Sequence, residues 1–211
     1  MAALLVWAFI AISSEMVEGD THAVDMAILQ AAQSLRTGQP WVSEVMRDLS
    51  GLGSTVVLTL FTLIMLGYLL VVGSRTTALL VAVAVIAGSA GVNVLKAQFG
   101  RPRPDAAFSE LLASGMSFPS GHAAMSAIVF LTLGALLAST RTRTLEQVYI
   151  LAAATLMTVL VGTSRIALGV HWATDVLAGW ALGTAWALVW LLVARRLMRT
   201  GQMSPQEPLE R

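Results

Sequence analysis

Long apolar blocks separated by short polar breaks set the pattern of this chain. Five of them, at 52–72, 77–95, 118–138, 148–162 and 172–194, are bounded by polar or charged residues. Most approach the roughly 20 residues that carry an α-helix across a hydrocarbon core about 30 Å thick. A sixth run, 2–12, rises only about 17 Å as a helix, so it predicts the visible end of a first, short or truncated span. A cleaved signal peptide is the weaker reading, because no basic residue precedes the run and no small-x-small pattern follows it. Residues 13–51 are polar, with Ala27, Ile28, Ala31, Ala32 and Leu35 at helical spacing against Asp25, Gln30, Gln33 and Arg36. That pattern predicts an amphipathic helix lying on the membrane surface. Gly38, Gln39 and Pro40 predict its end, and Trp41, Val45 and Met46 a second short helix. The polar tail 200–211 predicts disorder.

Composition agrees. Of 211 residues, 56% are hydrophobic and only 12% charged, about half the charge of an ordinary soluble domain, and mean hydropathy is +0.76. The reading is an all-α polytopic bundle of six transmembrane helices, one integral-membrane domain over 1–199. A net charge of +1 gives no argument for nucleic acid as a partner, and the absence of cysteine excludes disulfides and thiolate metal sites.

Position matters more than the sum of charge. Arg75, then Arg141 and Arg143, then Arg195, Arg196 and Arg199 fall after alternate spans, so they share one face, cytoplasmic by the positive-inside tendency. The opposite face receives 13–51, the connection 96–117 and the turn 163–171, with Trp41 and Trp172 as expected interfacial anchors. It also collects the residues that cost most near lipid: Lys96, Arg101, Arg103, Ser120, His122, Arg165, His171 and Asp175. Cations outnumber anions there, and ionisable groups at membrane depth need a polar cavity and a partner. An anion is the expected partner.

Each piece has a use. Prolines in Arg101-Pro102-Arg103-Pro104 stiffen a strap that presents guanidinium forks to oxygen atoms. Pro119-Ser120-Gly121-His122 reads as a helix start, with Ser120 as cap, Gly121 allowing close approach to the backbone and free N–H groups suited to phosphate. His171 and Asp175 are four apart, so on a helix the carboxylate can orient the imidazole and leave its other nitrogen as nucleophile or base. Each motif alone has a plainer reading: a basic loop, a helix cap, a satisfied polar pair. His22, without such company, reads as surface. A metal centre of His122, His171 and Asp175 is disfavoured by the nearby cations, and a triad of Ser120, His171 and Asp175 lacks the GxSxG elbow. Phosphoryl transfer does use converging cations.

Lys96 with six residues before Arg103-Pro104, then Pro119-Ser120-Gly121-His122, then Ser164-Arg165 with five residues before His171 and three before Asp175, resembles the three-part signature of the type 2 phosphatidic acid phosphatase superfamily. The resemblance implies His171 as nucleophile, oriented by Asp175, and His122 as acid and then base. It implies Lys96, Arg103, Arg165, Ser120 and Gly121 on the phosphoryl oxygens, and no metal or other cofactor. Arg101, expected at a second phosphate or headgroup, and Ser164 are second-tier candidates. The implied substrate is a membrane lipid phosphate in the bacterial inner membrane, presented at the outer face. Undecaprenyl diphosphate ranks first, phosphatidylglycerophosphate or phosphatidate next, then lipid A. A vanadate-dependent haloperoxidase and a non-catalytic anionic-lipid binder or transporter are the rival classes.

Overall fold

A computed structural model describes residues 1–111 and 113–199; the tail expected to be disordered at 200–211 lies outside the described residues. Eight long or medium helices follow one another: α1 (Ala2–Glu18), α2 (His22–Gly38), α3 (Pro40–Gly51), α4 (Thr55–Val71), α5 (Arg75–Phe99), α6 (Gly121–Ser139), α7 (Thr144–Ala167) and α8 (Ala173–Arg199). A 3₁₀ turn, Ala106–Phe108, interrupts the 100–120 connection, and Ala127–Leu131 forms a π-turn inside α6. Local chemistry sets the ends. Ser54 caps α4 by accepting the Val57 N–H at 3.3 Å, and α1 and α5 stop at Gly19 and Gly100, both left-handed.

Five segments are long and apolar enough to cross a bilayer: Pro40–Val71, Arg75–Phe99, Gly121–Ser139, Thr144–Ala167 and Ala173–Leu197. They contain the five predicted blocks almost entirely. The first run differs from expectation. It continues to Glu18 rather than ending at residue 12, and 17 residues rise about 26 Å. It reaches span length and hydropathy only together with α2, which departs at 94°. Residues 13–18 therefore belong to α1, not to a surface segment. Apolar side chains of α4 such as Val56, Leu60, Ile64 and Val71 point outward, as in a bundle whose solvent is lipid.

The amphipathic helix is present, but two of its charged residues face inward beside Leu29. Asp25 and Arg36, expected on the polar outer face, are buried, while Val24, Ile28 and Leu35 are exposed. Arg36 donates to the Ala167 carbonyl at the end of α7 and to Phe108 O at 2.7 Å, and its Nε lies 3.5 Å from Glu110. Periodicity alone cannot say which face turns in. Here a charged face finds charged and carbonyl partners, and an apolar face can meet lipid at no cost.

α8 is the central helix, with α1, α5, α6 and α7 against it. Against α6 it packs backbone to backbone: a Cβ added at Gly183 would stand 2.4 Å from the Ala124 carbonyl and one at Gly179 would stand 2.8 Å from that of Ser120. This small-xxx-small seam lets two backbones touch where lipid supplies no hydrophobic drive. Gly183→Val is expected to destabilise the bundle by about 1–3 kcal/mol, read as a lower melting temperature in detergent. An unchanged melting temperature would show that the seam has slack.

Candidate active site

Helix direction alone brings the chemistry together. α5 ends, α6 begins, α7 ends and α8 begins at the same end of the bundle, so the connections 100–120 and 168–172 meet there. Phe118 anchors this end. It is fully buried, 4.9 Å from the Phe99 ring and 6.0 Å from Phe9.

His171 is 2% exposed. Its Nδ1 lies 3.2 Å from Asp175 Oδ2, and its Nε2 lies 3.1 Å from the Arg103 guanidinium. A guanidinium can only donate and a carboxylate only accept, so both contacts require the same tautomer: proton on Nδ1, lone pair on Nε2. Burial pushes the imidazole pKa down to about 4, against an opposing pull from Asp175, and the ring is neutral at pH 7. Burial likewise lowers Arg103 from its ordinary value. Arg103 is further fixed by bonds to Gly115 O at 3.0 Å and Val170 O at 2.7 Å.

Asp175 is saturated. Oδ2 accepts from the Ser117 hydroxyl and from Trp172 N–H at 2.9 Å; Oδ1 accepts from Arg101 at 2.7 Å. Ser117, which the sequence reading missed, also stands 3.3 Å from His171 Nδ1. It carries no motif, and only its tertiary position exposes its role. Arg101 lies elsewhere than expected. Its second nitrogen pairs with Asp25 at 2.7 Å, so both forks of the guanidinium are spent on carboxylates and none faces a headgroup. Asp25, from α2, also accepts from Thr174 N at 3.0 Å and from Thr174 Oγ1 at 2.6 Å. Trp172 is buried too, not interfacial: its indole donates to Pro102 O at 3.0 Å and lies under Arg101. Trp41 and His22 are exposed, His22 edge-on to Trp172.

The remaining cations differ. Lys96 donates to Met116 O at 2.8 Å and passes close to the Gly121 backbone. Arg165 is buried, donates to Ser50 and leaves its Nε without a partner. Among the described residues, no carboxylate pairs with Lys96, Arg103 or Arg165. Ser120 caps α6 as expected, accepting from Ala123 N at 3.5 Å, and its own N–H bonds to Asp175 O at 2.9 Å. Ser164 takes no part: it is fully buried and its hydroxyl turns back to Val161 O at 2.7 Å. No three His, Asp or Glu side chains among the described residues are grouped to hold a metal ion.

His122, on the first turn of α6, lies within electrostatic reach of Arg165, His171, Arg103 and Lys96. It also opens onto a cavity of about 760 Å³ between α4, α5 and α6, which runs from Lys96 and His122 down to Leu66 and Ala82. A neutral imidazole whose Nε2 lone pair meets only Arg103, three cations without a carboxylate partner among the described residues, a second imidazole and a cavity entering the bilayer thus share one end of the molecule.

Known proteins share this sequence and fold. A Bacillus subtilis protein named phosphatidylglycerophosphatase B is 34% identical over 180 residues, 83% of this chain and 85% of its own length. The crystal structure of a transmembrane PAP2-type phosphatidylglycerolphosphate phosphatase from B. subtilis superposes with a TM-score of 0.86 at 28% identity, covering 93% of this chain and 96% of the other. The structure of Aquifex aeolicus LpxE gives 0.61 at 25% identity, covering 79% and 94%. Residues 77–199, which hold all three motifs, match the PAP2 superfamily, and the chain belongs to that superfamily as a membrane lipid phosphatase.

Proposed function

We propose that the chain hydrolyses the terminal phosphate of a glycerophospholipid, phosphatidylglycerophosphate or phosphatidate, through a phosphohistidine on His171. The observation that carries this is a neutral, oriented imidazole whose Nε2 meets Arg103 at 3.1 Å, with Arg165 and Lys96, likewise without a carboxylate partner, at the same end of the bundle. A phosphate monoester supplies the missing negative charge and takes over the Arg103 N–H that now rests on Nε2. The Nε2 lone pair then attacks phosphorus as the ester P–O bond breaks, and His122 protonates the departing oxygen. In the second step water attacks the phosphoryl group, His122 takes its proton, and the N–P bond breaks to restore His171. Lys96, Arg103, Arg165 and the N–H groups at Gly121 stabilise the equatorial oxygens, with Ser120 shaping that turn.

The glycerophospholipid class is supported by the name of the B. subtilis relative and by a cavity that would hold acyl chain within the bilayer. Undecaprenyl diphosphate is the second reading, since much of the cavity wall, including Leu58, Leu63 and Ile86, would suit an isoprenoid equally. Arg75, Arg141 and Arg143 at the other end of the bundle favour a site on the outer face of the bacterial inner membrane. All the groups used belong to the chain, so activity is expected to persist in chelator.

The test is a phosphate-release panel in detergent with chelator, comparing phosphatidylglycerophosphate, phosphatidate, undecaprenyl diphosphate and lipid A. The two glycerophospholipids are expected to turn over fastest. Faster release from undecaprenyl diphosphate would reverse the ranking, and binding without release would make the protein a lipid binder.

A further inference from the structure

Two polar rails descend from the phosphate end into the membrane-embedded cavity. On α5, Lys96, Asn93 and Ser89 lie at helical spacing, and on α4 so do Thr55, Thr59 and Thr62; all six line the same cavity. The helices run in opposite directions, so both rails deepen together. From Lys96, Asn93 is about 4.5 Å deeper and Ser89 about 10.5 Å deeper at 1.5 Å per residue. Thr62 spends its hydroxyl on Leu58 O at 2.8 Å. Asn93, Ser89 and Thr59 have no side-chain hydrogen bond among the described residues.

An asparagine amide inside a transmembrane segment is costly unless a partner accepts its protons. No group among the described residues does so here, and the neighbouring positions on the helix are apolar. What lies just below the scissile phosphate in a glycerophospholipid is a glycerol unit whose C2 carries an oxygen, within about 7 Å of phosphorus by ordinary bond lengths. Further oxygens follow before the acyl chain begins. A polyprenyl monophosphate offers only hydrocarbon at that depth.

The geometry points to Asn93 as a specificity-determining residue that donates to the oxygen on the glycerol C2, with Ser89 and Thr59 serving the oxygens below. This rests on the phosphatase reading above and adds to it a reason for choosing glycerol-based lipids over polyprenyl monophosphates. Asn93 sits one helical turn from the phosphate-binding Lys96, near enough to read the leaving group and too deep to share the phosphoryl oxygens.

The test compares kcat/KM for phosphatidate and for farnesyl monophosphate, which present the same scissile group, in wild type, Asn93→Leu and Ser89→Ala. The ratio of the two constants is expected to fall roughly tenfold in Asn93→Leu, the value of one lost hydrogen bond, and less in Ser89→Ala, with Asn93→Gln recovering part of the loss. An unchanged ratio, or equal losses on both substrates, would overturn the assignment while leaving the phosphatase reading intact. Wild-type protein that hydrolyses neither substrate would overturn both. Leucine is well tolerated in a transmembrane helix, and Ser89→Ala gives an independent reading should Asn93→Leu fail to accumulate.

Discussion

His171→Ala is expected to lower phosphate release by about 10⁴-fold or more, the scale on which removing a nucleophile acts, with little loss of folded protein. The size follows from exclusivity. The oriented Nε2 at the focus of Arg103 and its companions belongs to His171 alone, and the cations around it can stabilise charge but cannot form the bond. A diagnostic companion is His122→Gln assayed with p-nitrophenyl phosphate, whose leaving group needs no proton. Its first step survives while its second stalls, so an acid-labile phosphohistidine should accumulate on His171. Equal and complete turnover by His171→Ala would end the covalent mechanism.

The same geometry predicts the pH profile. Because burial holds the imidazole down to about 4, Nε2 stays unprotonated between that value and the ordinary one near 6.5. Falling pH removes the nucleophile only as it passes through the lower value. The acid limb of kcat/KM, which reports free enzyme, is therefore expected well below pH 6. The groups facing the ring oppose one another: Asp175 favours the charged form, while Arg103 and Arg165 disfavour it. Arg103→Gln should thus move the limb upward as well as lower the rate, and a limb that stays put would argue that Arg103 does not sense His171.

What was legible in the sequence is what is local. A cation count on one side of alternating spans, a helix start at Ser120, and a histidine four residues from an aspartate can all be read along the chain, and the bundle brings them together as expected. Ser117 and Asp25 were not legible. Ser117 acts through Asp175, 58 residues away, and Asp25 through Thr174 and Arg101, 149 and 76 residues away. Arg101 departs from its expected place for the same reason. An arginine beside a motif arginine has the chemistry of a phosphate ligand, and only the position of two buried carboxylates diverts it. Hydropathy also cannot distinguish a polar helix face turned to water from one turned to protein, so it puts Asp25 and Arg36 of α2 on the wrong side.

The buried network around Arg101 gives the second large prediction. Asp25 and Asp175 have fully buried side chains, and Arg101 bridges them. Removing the bridge strands two carboxylates, for which about 3–5 kcal/mol of destabilisation is usual, so Arg101→Met should melt much earlier in detergent. Its surviving fraction should also be slow, by roughly 10²-fold, since a displaced Asp175 no longer holds the tautomer and angle of His171. The loss should fall on kcat more than on KM, because Arg101 does not touch phosphate; a headgroup ligand would show the reverse. Asp25→Asn separates the two roles, since it leaves the Arg101 contact to Asp175 in place but turns one accepting oxygen into an N–H donor that faces another donor. Less stability loss than Arg101→Met is expected, with a smaller fall in kcat. In the double variant Asp25→Asn with Arg101→Met, one buried charge is gone with the bridge, so the two losses should add to less than their sum. Strict additivity would mean that Asp25 and Arg101 act separately, and that α2 is not tied through them to Asp175 and His171.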